Sequence, residues 1–423
     1  MIIAFYIFVK TLNIMIPTLR QQFNAQFSQE KYDALLDEIA EEFGYRVAFK
    51  ICETPIFIDK NLKSILIEAT QEIVGQIWQA DYAANMHLAT PPHLSVPNED
   101  NQPAFMAVDF ALCQDEQNPE RLIPQLIELQ GFPSLFCFQH FLNLKYRKHY
   151  AISSSLTHFL KDEFVTDNQL YIETLKTVIV GESKPENVIL LEIEPDKQKT
   201  KIDFSCTERF LGVKPVCITQ VRSEKIANGK SKLYYEENGK KIWIERIYNR
   251  VIFDELNLRK DLELHFDFRE DLDVKWLAHP NWFFKISKFT LPFLKSKYVP
   301  PTKFLHQLPS IPDDLENYVL KPLFSFAGAG VKFDVSKADI EQIYADKHLD
   351  PANYILMKKV HYQPIVQTLD IPAKVEIRML LLCIDGKMEV VTNLVRLSKG
   401  KMMGVDFNKG LDWVGGSIGY FEI

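Results

Sequence analysis

The chain has 423 residues, too many for one compact core, so two or three domains or subdomains are expected. Apolar residues make up 47% and charged residues 25%, which is ordinary for a soluble globular protein. A formal charge of −7 excludes general attraction to nucleic acid or anionic lipid, so any anion site has to be built locally.

The first residues, MIIAFYIFVKTLNIMIP, have a signal-like apolar run. They lack a basic start and a small-residue cleavage site, and Lys10 interrupts the run, which is too short to cross a membrane. Either translation starts at Met15 or the segment is a buried strand. The next element is a helix beginning at Ser28, with Tyr32, Leu35, Leu36, Ile39 and Phe43 on one face and Gly44 as its stop. A strand and an extended turn are expected in YRVAFKICETPIFI, and a second helix over residues 61–78. TPPHLSVPNEDNQP, residues 90–103, reads as a polar, proline-rich loop.

AFMAVDFALCQ, the charged turn DEQNPER and LIPQLIELQGFPSLF then form the pattern of an antiparallel hairpin. From about residue 151 the chain alternates short β runs with helical spacers, in TLKTVIVGE, ENVILLEIEP, KTKIDFSCTERFLG and PVCITQVRSEK. That alternation predicts a small α/β unit with a partly parallel sheet. KLYYEENGKKIWIERIYNRVIFDEL holds two β runs about an Asn-Gly turn, a hairpin signal. HPNWFFKISKFTLPFLKSKYVPPT reads as helix up to its proline-rich end, and strand pairs fill the remainder. The expected division is 1–150, 151–275 and 276–423.

Cys52, Cys113, Cys137, Cys206, Cys217 and Cys383 are scattered, with no CxxC pair, which fits a reduced cytoplasmic compartment and buried small hydrophobes. Chemistry is carried elsewhere. Glu128 and Gln130, two apart on one strand, share a face, and Asp109 lies on the partner strand. Such a set suits a hard cation such as Mg²⁺, or is a solvent-facing polar row of a half-exposed sheet. Lys321 ends the β run NYVL and precedes SFAGAG, whose nearly bare backbone can cover an anion or can be a plain flexible turn. No Walker loop is present. YILMKKV could line a flat ring or be a core strand. Glu376 and Arg378 share a strand face, Arg396 ends another strand, and Asn408 precedes a glycine. The arginines could clamp phosphate or carboxylate, or pair on the surface.

Taken together, these pieces resemble the ATP-grasp ligases. In most of those enzymes the carboxylate motif comes last, whereas here Asp109 precedes Lys321 by about two hundred residues. That order resembles the circularly permuted branch, eukaryotic-type glutathione synthetase and glutathionylspermidine synthetase-like proteins. The resemblance rests on VDF (108–110), LIELQGFPS (126–134), WIERIYNRVIFDEL and YVLKPLFSFAGAGV, and covers most of residues 100–423. It implies an α+β/α/β ATP-grasp fold, permuted, with a small α/β substrate domain inserted. It implies an ADP-forming ligase that uses ATP and Mg²⁺ to join small-molecule carboxylates and amines, without nucleic acid or membrane, and it allows a homodimer.

The roles implied follow position by position. Glu128 and Gln130, with Asp109 near them, would hold Mg²⁺. Lys321 and Lys288 would hold ATP phosphates, and Ser325, Phe326, Ala327, Gly328, Ala329 and Gly330 would close over the γ-phosphate. The backbone about Met357, Lys358 and Lys359 would read adenine, with Glu376 and Asn408 also on the nucleotide. Arg378 would contact phosphates, and Arg396 the acceptor carboxylate or the acyl phosphate, so Lys321, Arg378 and Arg396 form the catalytic set. The chain departs from the pattern at Gln130 in place of asparagine, at Ser325 in place of a glutamate, and at Lys358 and Lys359 in a linker that is commonly acidic. The alternatives are a nucleotide-binding module that has lost catalysis and acts as scaffold or sensor, and a non-nucleotide α+β protein whose motif matches are accidental.

Overall fold

A computed structural model describes residues 16–227, 229–324 and 330–423. Residues 1–15, with their expected buried strand, and residues 325–329, most of the stretch expected to cover a phosphate, lie outside them. Among the described residues no helix is long and apolar enough to cross a membrane.

The centre is a five-stranded antiparallel sheet built from the two ends of the chain. In spatial order it runs Gly415–Ser417, Lys387–Ser398, Lys374–Ile384, Phe105–Gln114, Leu122–Gln130. The expected hairpin supplies the last two strands, and its first strand pairs with Lys374–Ile384 so that Asp109 faces Arg378. Side-chain alternation splits the sheet's burial between its faces. Phe105, Ala107, Leu380 and Leu382 pack with helix Phe136–His149 and its neighbours. Met106, Val108, Phe110, Ile377 and Met379 pack on the other side with helix Lys60–Ile77 and with Trp282, Ile286 and Phe304.

The N-terminal helices form for the reasons visible in their sequence. The Ser28 hydroxyl accepts from the Lys31 N–H at the start of Gln29–Phe43, and Gly44 closes it with φ 74°. Asp59 caps Lys60–Ile77 through the Leu62 N–H. Within YRVAFKICETPIFI the strand is Ile56–Ile58, paired in parallel with Gly419–Glu422, and Ile51 adds an isolated bridge to Gly416.

The middle of the chain makes a four-stranded, wholly parallel sheet in the order Lys275–Leu277, Arg246–Asn249, Val188–Glu192, Lys214–Cys217. From Val188–Glu192 the chain moves first to the strand on one side and later to the strand on the other. The switch point of the sheet therefore lies between the carboxyl ends of Val188–Glu192 and Arg246–Asn249, where open parallel sheets of this kind place a ligand crevice. The Asn-Gly hairpin is present, with Asn238 and Gly239 both at positive φ between Ser231–Glu237 and Lys240–Trp243.

Two expected elements are corrected. TLKTVIVGE is no β run: most of it is the end of helix Asn168–Ile179, which Asp167 caps and whose Tyr171, Leu175 and Ile179 are buried at a spacing of four. The segment after His279 is not one helix. Pro280–Lys285 stops at Ile286, and Ser287 starts a separate 3-10 turn, Lys288–Phe293. A small antiparallel sheet, Thr302–Phe304, Tyr354–Lys358, Tyr318–Pro322, then carries Lys321. Beyond it Leu320 and Lys332 exchange backbone hydrogen bonds at 3.0 and 2.9 Å, so the glycine-rich stretch is bracketed by a short β-bridge.

Candidate functional site

Strand alternation and cross-strand register lay a polar row on one face of the central sheet. Glu128 is opposite Asp109, Asp109 opposite Arg378, and Glu376, two residues before Arg378, opposite Arg396. Arg378 grips Asp109 with both arms of its fork, Nε to Oδ1 and Nη2 to Oδ2, each at 2.6 Å. Arg396 Nη2 adds a contact to Asp109 Oδ2 at 3.0 Å and also donates to Glu376. The Tyr362 hydroxyl donates to the second Glu376 oxygen at 2.7 Å. Asp109 is fully buried and Glu376 and Arg378 nearly so. Burial works against the Arg378 charge, but Asp109 more than offsets it and holds that guanidinium above its ordinary range.

At the open end of the row, Glu128 accepts from the Gln130 amide at 2.5 Å and lies 3.6 Å from Arg378 Nη2. The chain then turns at Gly131, whose N–H bonds the Ile286 carbonyl at 2.9 Å. A Cβ at Gly131 would sit 2.5 Å from the Trp282 carbonyl oxygen, so the close approach needs glycine. That contact brings segment 282–288, and with it Lys288, to the hairpin.

Lys321 arrives from the other side. Its ammonium donates to the Ile127 carbonyl at 3.2 Å and lies 3.2 Å from Met357 Sδ. Burial pulls Lys321 down to about 8, with Glu128 opposing and Lys288 adding to the shift. Lys288 is lowered by burial too, while Glu128 and Asp254 support its charge. Both lysines thus sit in the field of one carboxylate, with their own charges held out of water.

Other expected residues are placed differently. The Lys358 and Lys359 N–H groups are donated to Pro301 and Asn317 carbonyls, so those two backbone donors are already engaged. Asn408 ties its own loop: its oxygen accepts from Ser398, Lys399 and Gly400, and its amide donates to Met402 and Gly404. Gly330 has φ 71°, the left-handed backbone that glycine favours.

The structure also brings in residues that sequence reasoning did not single out. Arg250 follows strand Arg246–Asn249 at the switch-point crevice, and its N–H bonds Leu191. Its guanidinium lies 4.9 Å from the Phe132 ring, two residues beyond Gln130, and 5.7 Å from Phe204. Arg250 is 6% exposed, and its buried Nε and Nη1 have no partner among the described residues. Facing it, Glu192 is pushed up to about 8 by burial, with Arg250 opposing. Asp254, raised by burial against the pull of Lys288, keeps Oδ2 without a partner among the described residues. The signal for Arg250 was the one used for Lys321, a cation closing a β run, here in RIYNRV.

Mg²⁺ demands free oxygen lone pairs at close range in near-octahedral geometry. Asp109 is sealed and doubly bound by arginines, and Glu376 is closed by Arg396 and Tyr362. Among the described residues no group of three or more His, Cys, Asp or Glu could hold a metal ion. Glu128 with the Gln130 amide is what remains of the expected donor set, and a cage of Asp109, Glu128 and Gln130 does not fit.

No family model and no curated protein matches the sequence. Among solved structures, the fold matches a glutathione synthetase-like effector from Globodera pallida, determined in its apo form. The TM-score is 0.56 at 14% identity, over 93% of this chain and 96% of that one. A likeness spanning both chains nearly end to end makes the architecture, a central antiparallel sheet with a parallel α/β unit between its parts, that of a glutathione synthetase-like protein.

Proposed function

We propose that the protein is an ATP-dependent carboxylate–amine ligase of the circularly permuted ATP-grasp type. The carrying observation is that Lys321 reaches the Ile127 carbonyl, beside Glu128, across 194 residues of sequence. The early carboxylate hairpin and the late cationic strand therefore enclose one place. In this reading 1–150 and 276–423 form the nucleotide fold and 151–275 carries a small-molecule substrate, in the cytoplasm.

A substrate carboxylate oxygen attacks the γ-phosphorus, ADP leaves, and an acyl phosphate forms. An amine then adds to the acyl carbon, inorganic phosphate departs and the amine loses its proton, leaving an amide. Lys321, Lys288 and Arg396 neutralise charge on the phosphates as the phosphoryl group moves. Arg250, with two unsatisfied donors, takes the substrate's carboxylate at the crevice. With Asp109 and Glu376 engaged, the donors present do not form a metal cage.

The engaged state of Asp109 and Glu376 favours a second reading, a nucleotide-binding module without turnover. One experiment separates them. ADP release is measured with ATP, Mg²⁺ and a panel of acids and amines, alongside ATP-induced thermal stabilisation. Acid- and amine-dependent ADP release establishes the ligase. Stabilisation with release at background leaves the binding module, and no stabilisation removes both.

A further inference from the structure

The disagreement between the expected metal set and the side chains that fill it points to a different electrostatic design, which rests on the nucleotide reading above. We propose that Arg378, backed by Arg396, takes the place of the divalent cation, so that the site binds the free triphosphate as readily as its magnesium complex.

Arg378 stands opposite Asp109 in the sheet register, so its place in the row is set by two strands rather than by a flexible loop. Both fork contacts at 2.6 Å and the burial of Asp109 shut that carboxylate away from a hydrated ion. Arg396 completes the closure at 3.0 Å and, through its bond to Glu376, removes a second carboxylate. Of the three acids in the row, Glu128 alone keeps an oxygen that neither an arginine nor Tyr362 engages. Counting the row, the two facing lysines and Asp254 beside Lys288, four carboxylates (Asp109, Glu128, Glu376, Asp254) meet four cations (Arg378, Arg396, Lys321, Lys288). Asp109 and Glu376 are already paired with the arginines, which leaves a divalent ion little free oxygen, while the lysines face the place a polyanion would take. A guanidinium also offers fixed positive charge and directed donors to phosphate oxygens without dehydration of an aquo ion. Arg396 retains a buried Nε with no partner among the described residues, a donor in reserve for such a ligand.

The test is isothermal titration of the intact protein with ATP, once in excess EDTA and once in excess Mg²⁺. The expected result is a Kd in EDTA within about threefold of that in Mg²⁺. Glu128→Gln is expected to change both arms by the same factor, since no metal links this residue to the nucleotide. The double variant Asp109→Asn with Arg378→Gln removes the fixed cation and its counter-charge together, and should weaken ATP in EDTA by about tenfold or more. Binding that weakens about tenfold on chelation in the wild-type protein overturns the inference and leaves the nucleotide reading standing. Absence of binding in both arms removes the nucleotide reading and this inference with it.

Discussion

Lys321 shows what a single buried charge does to a binding site. The residue is half-buried, and burial lowers its ammonium to about 8. A neutral amine does not attract phosphate, so ATP affinity is expected to be highest below about pH 8 and to fall as pH rises through that value. Stability runs the other way. The unfolded chain holds the proton up to the ordinary lysine range and the folded chain does not, so this group's cost is present in full below about pH 8 and is relieved above it. Titrating ATP binding from pH 7 to 9.5 checks this, with Lys321→Arg as the control that should flatten the curve. A flat profile in the wild type would contradict the assignment of Lys321 to the phosphates. Residue identities such as Asp109, Arg378 and Lys321 could be picked out from type and spacing alone. Which of them pair with each other could not, because a side chain's partner across a sheet lies hundreds of positions away in the sequence.

Among the elements, the strand Phe105–Gln114 has the most to lose. Its burial is nearly continuous, and the one ionised residue in it, Asp109, depends on two guanidiniums for company. Asp109→Ala would leave Arg378 buried without its bidentate partner and is expected to cost about 3–5 kcal/mol, read from the midpoint of chemical denaturation. Replacing Asp109 and Arg378 together by apolar residues of similar size should recover much of that loss. Non-additivity of this kind distinguishes a true pair from two separate packing defects. Local elements were legible where a local cause sets them: the Ser28 cap with Gly44, and the Asn238-Gly239 turn. They were misread where two causes compete. In TLKTVIVGE the β-branched run favours strand, but Asp167 caps a helix and the four-residue spacing from Tyr171 to Ile179 buries one face of it, and packing prevails over propensity. After His279, Ser287 and Pro292 break a run that hydrophobicity alone would have made continuous.

At the scale of the whole molecule, the site is a junction of three bodies of structure that meet around residues 128–132. The central sheet brings Glu128, the segment 282–288 brings Lys288, and the parallel sheet brings Arg250 against Phe132. Hydrophobic periodicity could announce the parallel sheet but not its strand order, and only the order reveals a switch point and the crevice beside it. The consequence is a division of labour that can be measured. In the proposed reading Lys321 and Lys288 face the nucleotide, whereas Arg250 lies at the switch point with Nε and Nη1 without a partner among the described residues. Arg250→Met keeps an apolar stem against Phe132 and Phe204 while removing the charged donors. The expected outcome is a KM for the acid substrate raised by about tenfold to a hundredfold, the loss of a hydrogen-bonded charge, with the Kd for ATP within about twofold. Equal weakening of both ligands would place Arg250 in the general scaffold, and no change in either would remove it from the site. A selective loss of the acid would show that the crevice of the parallel sheet and the row on the central sheet serve different halves of one reaction.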